Sequence, residues 1–271
     1  PLSRIGGNSR RPLPILERGT GGETRTGSQI PMPSPTAQNV SSSLPPRFPE
    51  VLDREGFALL PGVLTQAEVA ALLQALEAVE GFGRGGLRHV AARVPAVRAL
   101  ERSETVRGPV TAVLGEDVTL SRSLLFDKTP AANWNVAWHQ DLTIAVRERK
   151  DVPGFTAWSV KDGVPHVQPP AEVLARVLAV RLHLDDCGAG NGALRVLPGT
   201  HRRGRLSDAE MEALRREVPE TVCAARAGDL LLMRPLLLHA SSAAAQPHHR
   251  RVLQLEFGAG RLPGGLEWFG G

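Results

Sequence analysis

Tyrosine is absent from these 271 residues, and aromatic residues of all kinds amount to 4%. Proteins that hold single-stranded nucleic acid stack its bases on aromatic side chains, so this chain offers few platforms for that role. Charge of one sign is also in short supply. Lys and Arg number 32 against 28 Asp and Glu, an excess of only +4 despite a sequence pI near 9.8. The arginines are scattered and not gathered with aromatics, so a nucleic-acid partner is not expected. Cysteine occurs twice, as Cys187 and Cys223. So few thiols argue against a disulfide-stapled secreted scaffold and for free thiols in a reducing cytoplasm, with a single bridge between the two as the alternative. Long hydrophobic runs are missing too. No apolar stretch approaches the ~20 residues of a membrane-crossing helix, and no compact apolar segment of the secretory kind stands at the N-terminus.

What is present is a hydrophobic content of 42%, enough for one sizeable catalytic domain plus a tail. Residues 1–46 are rich in Pro, Gly, Ser and Arg with little hydrophobic periodicity, the composition of a disordered tail. A basic targeting segment is the functional alternative. The chain opens on Pro1 and not on Met, so this stretch need not be a native terminus. Residues 47–271 carry the folding pattern. Gly56 to Leu64 reads as a short strand and turn, and Thr65-Gln66-Ala67-Glu68 as a capping box. The helix it opens has Val69, Leu72, Leu73, Leu76 and Val79 on one face. Helical stretches follow over 95–102 and 104–114. The Gly-rich run from Gly81 to Gly86 lacks the strand-to-helix setting and Lys-Ser/Thr ending of a phosphate loop. From Val118 the pattern turns to strands, broken by a polar insertion from Arg147 to Pro170 that reads as a long loop. Leu178 to Leu184 alternates cleanly, with Ala179, Arg181 and His183 on one face and Val180, Leu182 and Leu184 on the other. A second capping box, Ser207-Asp208-Ala209-Glu210, opens a surface helix.

The chemistry centres on Trp138-His139-Gln140-Asp141. On an extended strand His139 and Asp141 point to one face. His239 follows a hundred positions later, at the end of an apolar run after Pro235. Two imidazoles and one carboxylate form a face that binds Fe(II) and leaves coordination positions open. A lone His-x-Asp is weak evidence, since a chain of this composition holds about one by chance. This chain has a second, His183-Leu184-Asp185, whose Asp185 starts a turn-rich run and reads as a turn cap. The bland reading of His239 is a core histidine satisfied by a carbonyl. Arg250, eleven positions on, opens an alternating strand. It could hold a carboxylate through two parallel hydrogen bonds, or be a solvated strand end.

His139-x-Asp141, His239 and Arg250 in this order and spacing resemble the phytanoyl-CoA dioxygenase family of Fe(II)/2-oxoglutarate oxygenases. Leu125-Phe126-Asp127-Lys128-Thr129-Pro130 and the segment from Asn191 to His201 match that family's habits as well. The resemblance runs from about Phe57 to Phe257. It implies a mainly β domain with flanking helices around a double-stranded β-helix, the jelly-roll of cupin-like proteins. It also implies hydroxylation of a small organic substrate with release of succinate and CO2. The metal ligands would be His139, Asp141 and His239, and the cofactors Fe(II), 2-oxoglutarate and O2, with ascorbate a candidate reductant. Arg250, Ser241, Lys128 and Arg181 are the candidates for binding the cosubstrate. Arg181 departs from the family, whose members often carry an aromatic residue ten positions before Asn191. Trp158, Lys161 and His166 in the insertion, with Trp138, Arg122 and His183, are the candidate substrate contacts. Asp141 favours hydroxylation over halogenation, because related halogenases lack this carboxylate. The competing readings are a cupin-type metal enzyme that does not use 2-oxoglutarate and a non-catalytic jelly-roll ligand-binding module. No membrane association is expected.

Overall fold

The computed structural model describes residues 47–83, 85–245 and 249–270, so the tail expected over residues 1–46 lies outside the described residues. In chain order, α1 (Phe48–Glu55) leads into β1 (Phe57–Leu60), then α2 (Gln66–Glu77) and β2 (Gly86–Arg88). Three helices follow: α3 (Val90–Arg93), α4 (Pro95–Glu101) and α5 (Glu104–Leu114). The strands β3 (Val118–Lys128), β4 (Val136–His139), β5 (Ile144–Ala145), β6 (Thr156–Lys161) and β7 (Val164–Gln168) come next. After α6 (Ala171–Leu174) come β8 (Val177–His183) and β9 (Leu194–Val196). The chain closes with α7 (Asp208–Glu217), β10 (Thr221–Cys223), β11 (Leu230–Met233), β12 (His239–Ser241) and β13 (Arg250–Ala259).

A six-stranded antiparallel sheet runs β1-β11-β8-β13-β3-β2, and a four-stranded one runs β10-β9-β12-β4. Their order is the jelly-roll crossing, with sequence-distant strands side by side. The larger sheet has two unlike faces because side chains alternate along each strand. Leu178, Val180 and Leu182 of β8 and Leu253, Leu255 and Phe257 of β13 point outward, into a core shared with Leu52 of α1, Leu72 and Leu76 of α2 and Val106 and Val110 of α5. Each such side chain stabilises the fold by roughly 1.5–3 kcal/mol on burial, so the helix layer is held on mainly by this contact. The opposite face carries Arg181 and His183 of β8, Arg250, Gln254 and Glu256 of β13 and Arg122 and Lys128 of β3, all buried. The alternation read for 178–184 is thus present, aliphatic toward the helices and polar toward the smaller sheet.

Both capping boxes form. Thr65 accepts from the Glu68 amide at 3.3 Å while the Glu68 carboxylate accepts from the Thr65 amide at 2.7 Å. Ser207 and Glu210 do the same at 3.4 and 2.8 Å. Both cysteines are free and buried. Among the described residues no helix is long and apolar enough to cross a membrane. The C-terminal run folds back, with Trp268 buried and its indole donating to the Gly260 carbonyl at 2.8 Å.

Three expectations change. The insertion 147–170 is not a loop: β6 and β7 form a hairpin, and β7 also pairs with β5. Its turn is Asp162-Gly163, with φ of 48° and 77°, the backbone of a two-residue turn whose twist matches the strands. Asp185 is not a turn cap. Its carboxylate accepts from the Arg251 amide at 2.7 Å and from the Arg251 guanidinium at 2.6 and 2.8 Å, and it is Asp186 that accepts from the Ala227 amide. Finally, β4 ends at His139, so Asp141 lies just past the strand and not on it.

The turn Ala227-Gly228-Asp229 fixes β11 against β1. Gly228 has φ of 97°, and a Cβ there would stand 2.3 Å from the Leu64 carbonyl oxygen. Gly228→Ala should therefore cost more than the ~1 kcal/mol of a positive-φ penalty alone. Gly62→Ala, at φ 61° with nothing within 4 Å, meets only that penalty. Thermal unfolding should show Gly228→Ala melting several degrees below Gly62→Ala. Equal melting points would mean the turn is not packed as described.

Candidate metal centre

Strand pairing brings two histidines together from a hundred residues apart. His139 on β4 is the register partner of His239 on β12, and their ring centroids lie 4.2 Å apart. Each ring is anchored in the same way. Nδ1 of His139 donates to the Ala137 carbonyl and Nδ1 of His239 to the Leu237 carbonyl, both at 2.8 Å. A carbonyl only accepts, so the proton sits on Nδ1 and the Nε2 lone pair is free. Asp141 is placed by its amide, which donates to the Pro235 carbonyl at 2.9 Å. Its neighbour Gln140 is buried and clamps three backbone groups, donating to the Gly204 and Leu236 carbonyls and accepting from the Leu206 amide. The carboxylate of Asp141 then stands 3.9 Å from Nε2 of His139 and 3.8 Å from Nε2 of His239.

Those distances exceed a hydrogen bond. Three electron-pair donors face one point with no proton between them, and the donor atoms all lie within 4.8 Å of one another. Burial pushes the His239 pKa down to about 4, so its ring is neutral near pH 7. Burial works against the charge on Asp141, but His239, Arg122, His139 and Arg181 outweigh it and hold the carboxylate below its ordinary pKa. Two imidazoles and one carboxylate suit a divalent first-row metal, so the residues fit the metal expected of them.

Beside the triad a cavity of about 140 Å³ opens between the two sheets. Arg181, Gln254 and Arg250 line it from the larger sheet, and Leu194, Ala240 and Ser241 from the smaller. Arg250 is buried, donates from Nη1 to the Gly192 carbonyl at 2.9 Å, and keeps a buried Nε without a partner. Ser241 donates to the same carbonyl at 2.9 Å. Gly192 is required at this crossing: its φ is 67°, and a Cβ would meet the Ser242 carbonyl oxygen at 2.7 Å.

Not every candidate lines the cavity. Lys128 is buried behind it, donating to Ser241 Oγ at 2.9 Å and the Ser242 carbonyl at 2.6 Å, its pKa lowered to about 8 by burial and by Arg250. The alternation that turns His139 inward turns Trp138 outward. Its ring packs near Leu197, Leu214 and Leu238, with the guanidiniums of Arg195 and Arg215 at 5.4 and 5.9 Å. Trp158 packs at the edge of the cluster around Ile144 and Val146, under Arg149 at 5.5 Å. Neither tryptophan lines the cavity. His183 sits opposite Val252 with both ring nitrogens buried and unpartnered, away from the cavity wall. Arg122 does not line it either, being held by Glu256 through two hydrogen bonds of 2.9 and 2.6 Å. Lys161 and the fully buried His166 sit within electrostatic reach of Arg122, and Lys161 also senses Asp141. Trp134, which flanks the approach to the metal pair, lines the cavity, and sequence reasoning missed Gln254 and Phe126 there. Gln254 had a signal, since it lies four positions from Arg250 on the same strand face.

A profile of the family described as phytanoyl-CoA dioxygenase (PhyH) matches residues 52–252, well over half of the chain. The chain belongs to the phytanoyl-CoA dioxygenase family. Among curated proteins, an ectoine dioxygenase of Bordetella parapertussis is 27% identical over 169 residues, covering 56% of this chain and 47% of that protein. The chain thus spans about half the length of the curated relatives it matches. Among solved structures, HygX from Streptomyces hygroscopicus with nickel and 2-oxoglutarate bound is 19% identical, with a TM-score of 0.59 over 80% of this chain and 88% of that one. EctD from S. alaskensis in its apoform is 18% identical, with a TM-score of 0.63 over 83% and 80%. At such identities the likeness establishes the fold, the double-stranded β-helix of the phytanoyl-CoA dioxygenase family.

Burial pushes the pKa of His166 down to about 4 and that of His183 to about 3. Both folded values lie below the ~6.5 of an unfolded histidine, so the unfolded chain takes up protons first. Stability from these rings is complete above about pH 6.5 and drains away as the pH falls toward the folded values. Metal-free protein should lose melting temperature steadily from pH 7 to 5, and His183→Met with His166→Phe should flatten that slope. An unchanged slope in the double variant would mean the two rings are not buried neutral.

Proposed function

We propose that this chain is an Fe(II)- and 2-oxoglutarate-dependent dioxygenase that hydroxylates a small organic substrate. The observation that carries the reading is the convergence of His139, Asp141 and His239 beside a cavity lined by the buried Arg250. Nε2 of both histidines and the Asp141 carboxylate would hold the iron. Bound Fe(II) with O2 supplies the oxidising chemistry, in which 2-oxoglutarate becomes succinate and CO2 and one oxygen atom enters the substrate C–H bond. The residues of this chain bind, orient and exclude. Arg250, with its free Nε, and Ser241 would receive the carboxylate remote from the metal. Lys128 holds Ser241 in place from behind and adds positive charge there. Leu194, Val136 and Phe126 supply an apolar part of the wall and limit water there. Asp141 fills the ligand position that a halogenase leaves to halide, so hydroxylation is the outcome we assign. Ascorbate would serve as reductant.

We place the substrate on the Asp141 side, within electrostatic reach of Lys161. We assign the protein to the cytoplasm, which free Cys187 and Cys223 support.

The test is succinate release from 2-oxoglutarate under Fe(II) and O2 during a screen of small-molecule substrates. Wild type should release succinate, and Arg250→Met should raise the KM for 2-oxoglutarate by roughly tenfold or more. A metal-dependent activity indifferent to Arg250→Met would indicate an enzyme that does not use 2-oxoglutarate. No turnover with any substrate, and no succinate, would indicate a ligand-binding module.

A further inference from the structure

Arg181 is a charged cavity residue to which the proposed chemistry gives no role. It is 7% exposed, lies on the cavity wall with the metal triad, and has no carboxylate partner among the described residues. Its Nη1 donates to Oε1 of Gln254, its register partner on β13, and its Nε is buried with nothing to bond. The Gln254 amide in turn donates to Glu256 at 2.6 Å, and Glu256 is held by Arg122. The guanidinium is thus fixed by a row of side chains and not by an acid. Buried charges without a partner are rare unless a ligand supplies one. Arg250 faces the same cavity in the same condition, with its Nε equally unpartnered. Two unneutralised guanidiniums share one small cavity in which Asp141 is the single acid on the wall. They act against each other, and burial together with Arg250 pushes the Arg181 pKa down to about 10.

The two arginines stand at different depths. Arg250 lies at the first position of β13, and Gln254, which marks the level of Arg181, lies four residues further along the same face. Four residues of strand span about 13 Å. The charge of Arg181 reaches both Asp141 and His239, whereas Arg250 is not among the charges acting on either. Arg181 is therefore the guanidinium at the metal end and Arg250 the one at the far end.

We propose that Arg181 is a second positioning residue for the 2-oxo-acid cosubstrate, taking the carboxylate next to the ketone while Arg250 takes the remote one. This rests on the oxygenase reading and deepens it. The cavity becomes a clamp with one guanidinium for each end of a dicarboxylate. The two ends then answer to different ligands. 2-Oxovalerate keeps the 2-oxo-carboxylate and lacks the remote one, so it probes Arg181 alone.

Calorimetric titration of Mn(II)-loaded protein with 2-oxoglutarate and with 2-oxovalerate separates the roles without turnover. Arg181→Met should weaken both ligands by the same factor, roughly tenfold or more. Arg181→Lys should recover part of the loss, and Arg250→Met should weaken 2-oxoglutarate only. Melting curves identify any variant that fails to fold, in which case Arg181→Gln takes the place of Arg181→Met. An Arg181 variant that melts like wild type and binds both acids unchanged overturns the proposal, and loss confined to 2-oxoglutarate overturns the assignment of ends. Wild type that binds Mn(II) but neither acid would sink the oxygenase reading itself.

Discussion

Three electron-pair donors, with the Asp141 carboxylate 3.8–3.9 Å from each imidazole and all three within 4.8 Å of one another, are a repulsive arrangement in the absence of a cation. The rest of the structure is arranged to impose it. The β4–β12 register sets His139 opposite His239, and matching bonds to the carbonyls of Ala137 and Leu237 turn both Nε2 atoms the same way. The buried Gln140 side chain and the Asp141 amide pin the third donor just beyond the strand. Nothing in the local sequence would hold these groups so close without the two sheets behind them.

The second constraint is electrostatic. The inner face of the larger sheet buries Arg122, Arg181, Arg250 and Lys128 against the acids Glu256 and Asp141. Such a face is costly, and what offsets it is the opposite face of the same strands. Leu182, Leu253 and Leu255 seal against α1, α2 and α5, and that apolar burial lets the inner face be spent on binding instead of stability. Only the Arg122–Glu256 pair closes on itself. The remaining positive charge faces a cavity, which suits an anionic ligand and a divalent metal together.

Much of this was legible in the sequence for simple physical reasons. Period-two alternation over 178–184 places Arg181 and the leucines on opposite faces of any strand, so both layers could be read at once. The capping boxes at Thr65 and Ser207 are local hydrogen-bond grammar and formed as spelled. Other features depend on long-range contact. Trp138 and Trp158 are large enough to suit either a pocket or a core, and only the sheet shows that Trp138 is turned away by the step that turns His139 in. Asp185 looked like a cap because its neighbours are turn residues, but its partner, Arg251, lies 66 positions away. The β6–β7 hairpin was overlooked even though Asp162-Gly163 between strand-like runs is a strong local turn signal. Gln254 went unnoticed because an amide has no distinctive chemistry until it is seen holding Arg181.

The account turns on whether a metal meets His139, Asp141 and His239 together. X-ray absorption at the iron edge of anaerobically loaded protein tests this most directly. The expected spectrum has scattering from two imidazoles with oxygen ligands completing the sphere, one iron per chain, and one imidazole fewer in His239→Ala. Iron bound without histidine scattering, or a spectrum that His239→Ala leaves unchanged, would contradict it.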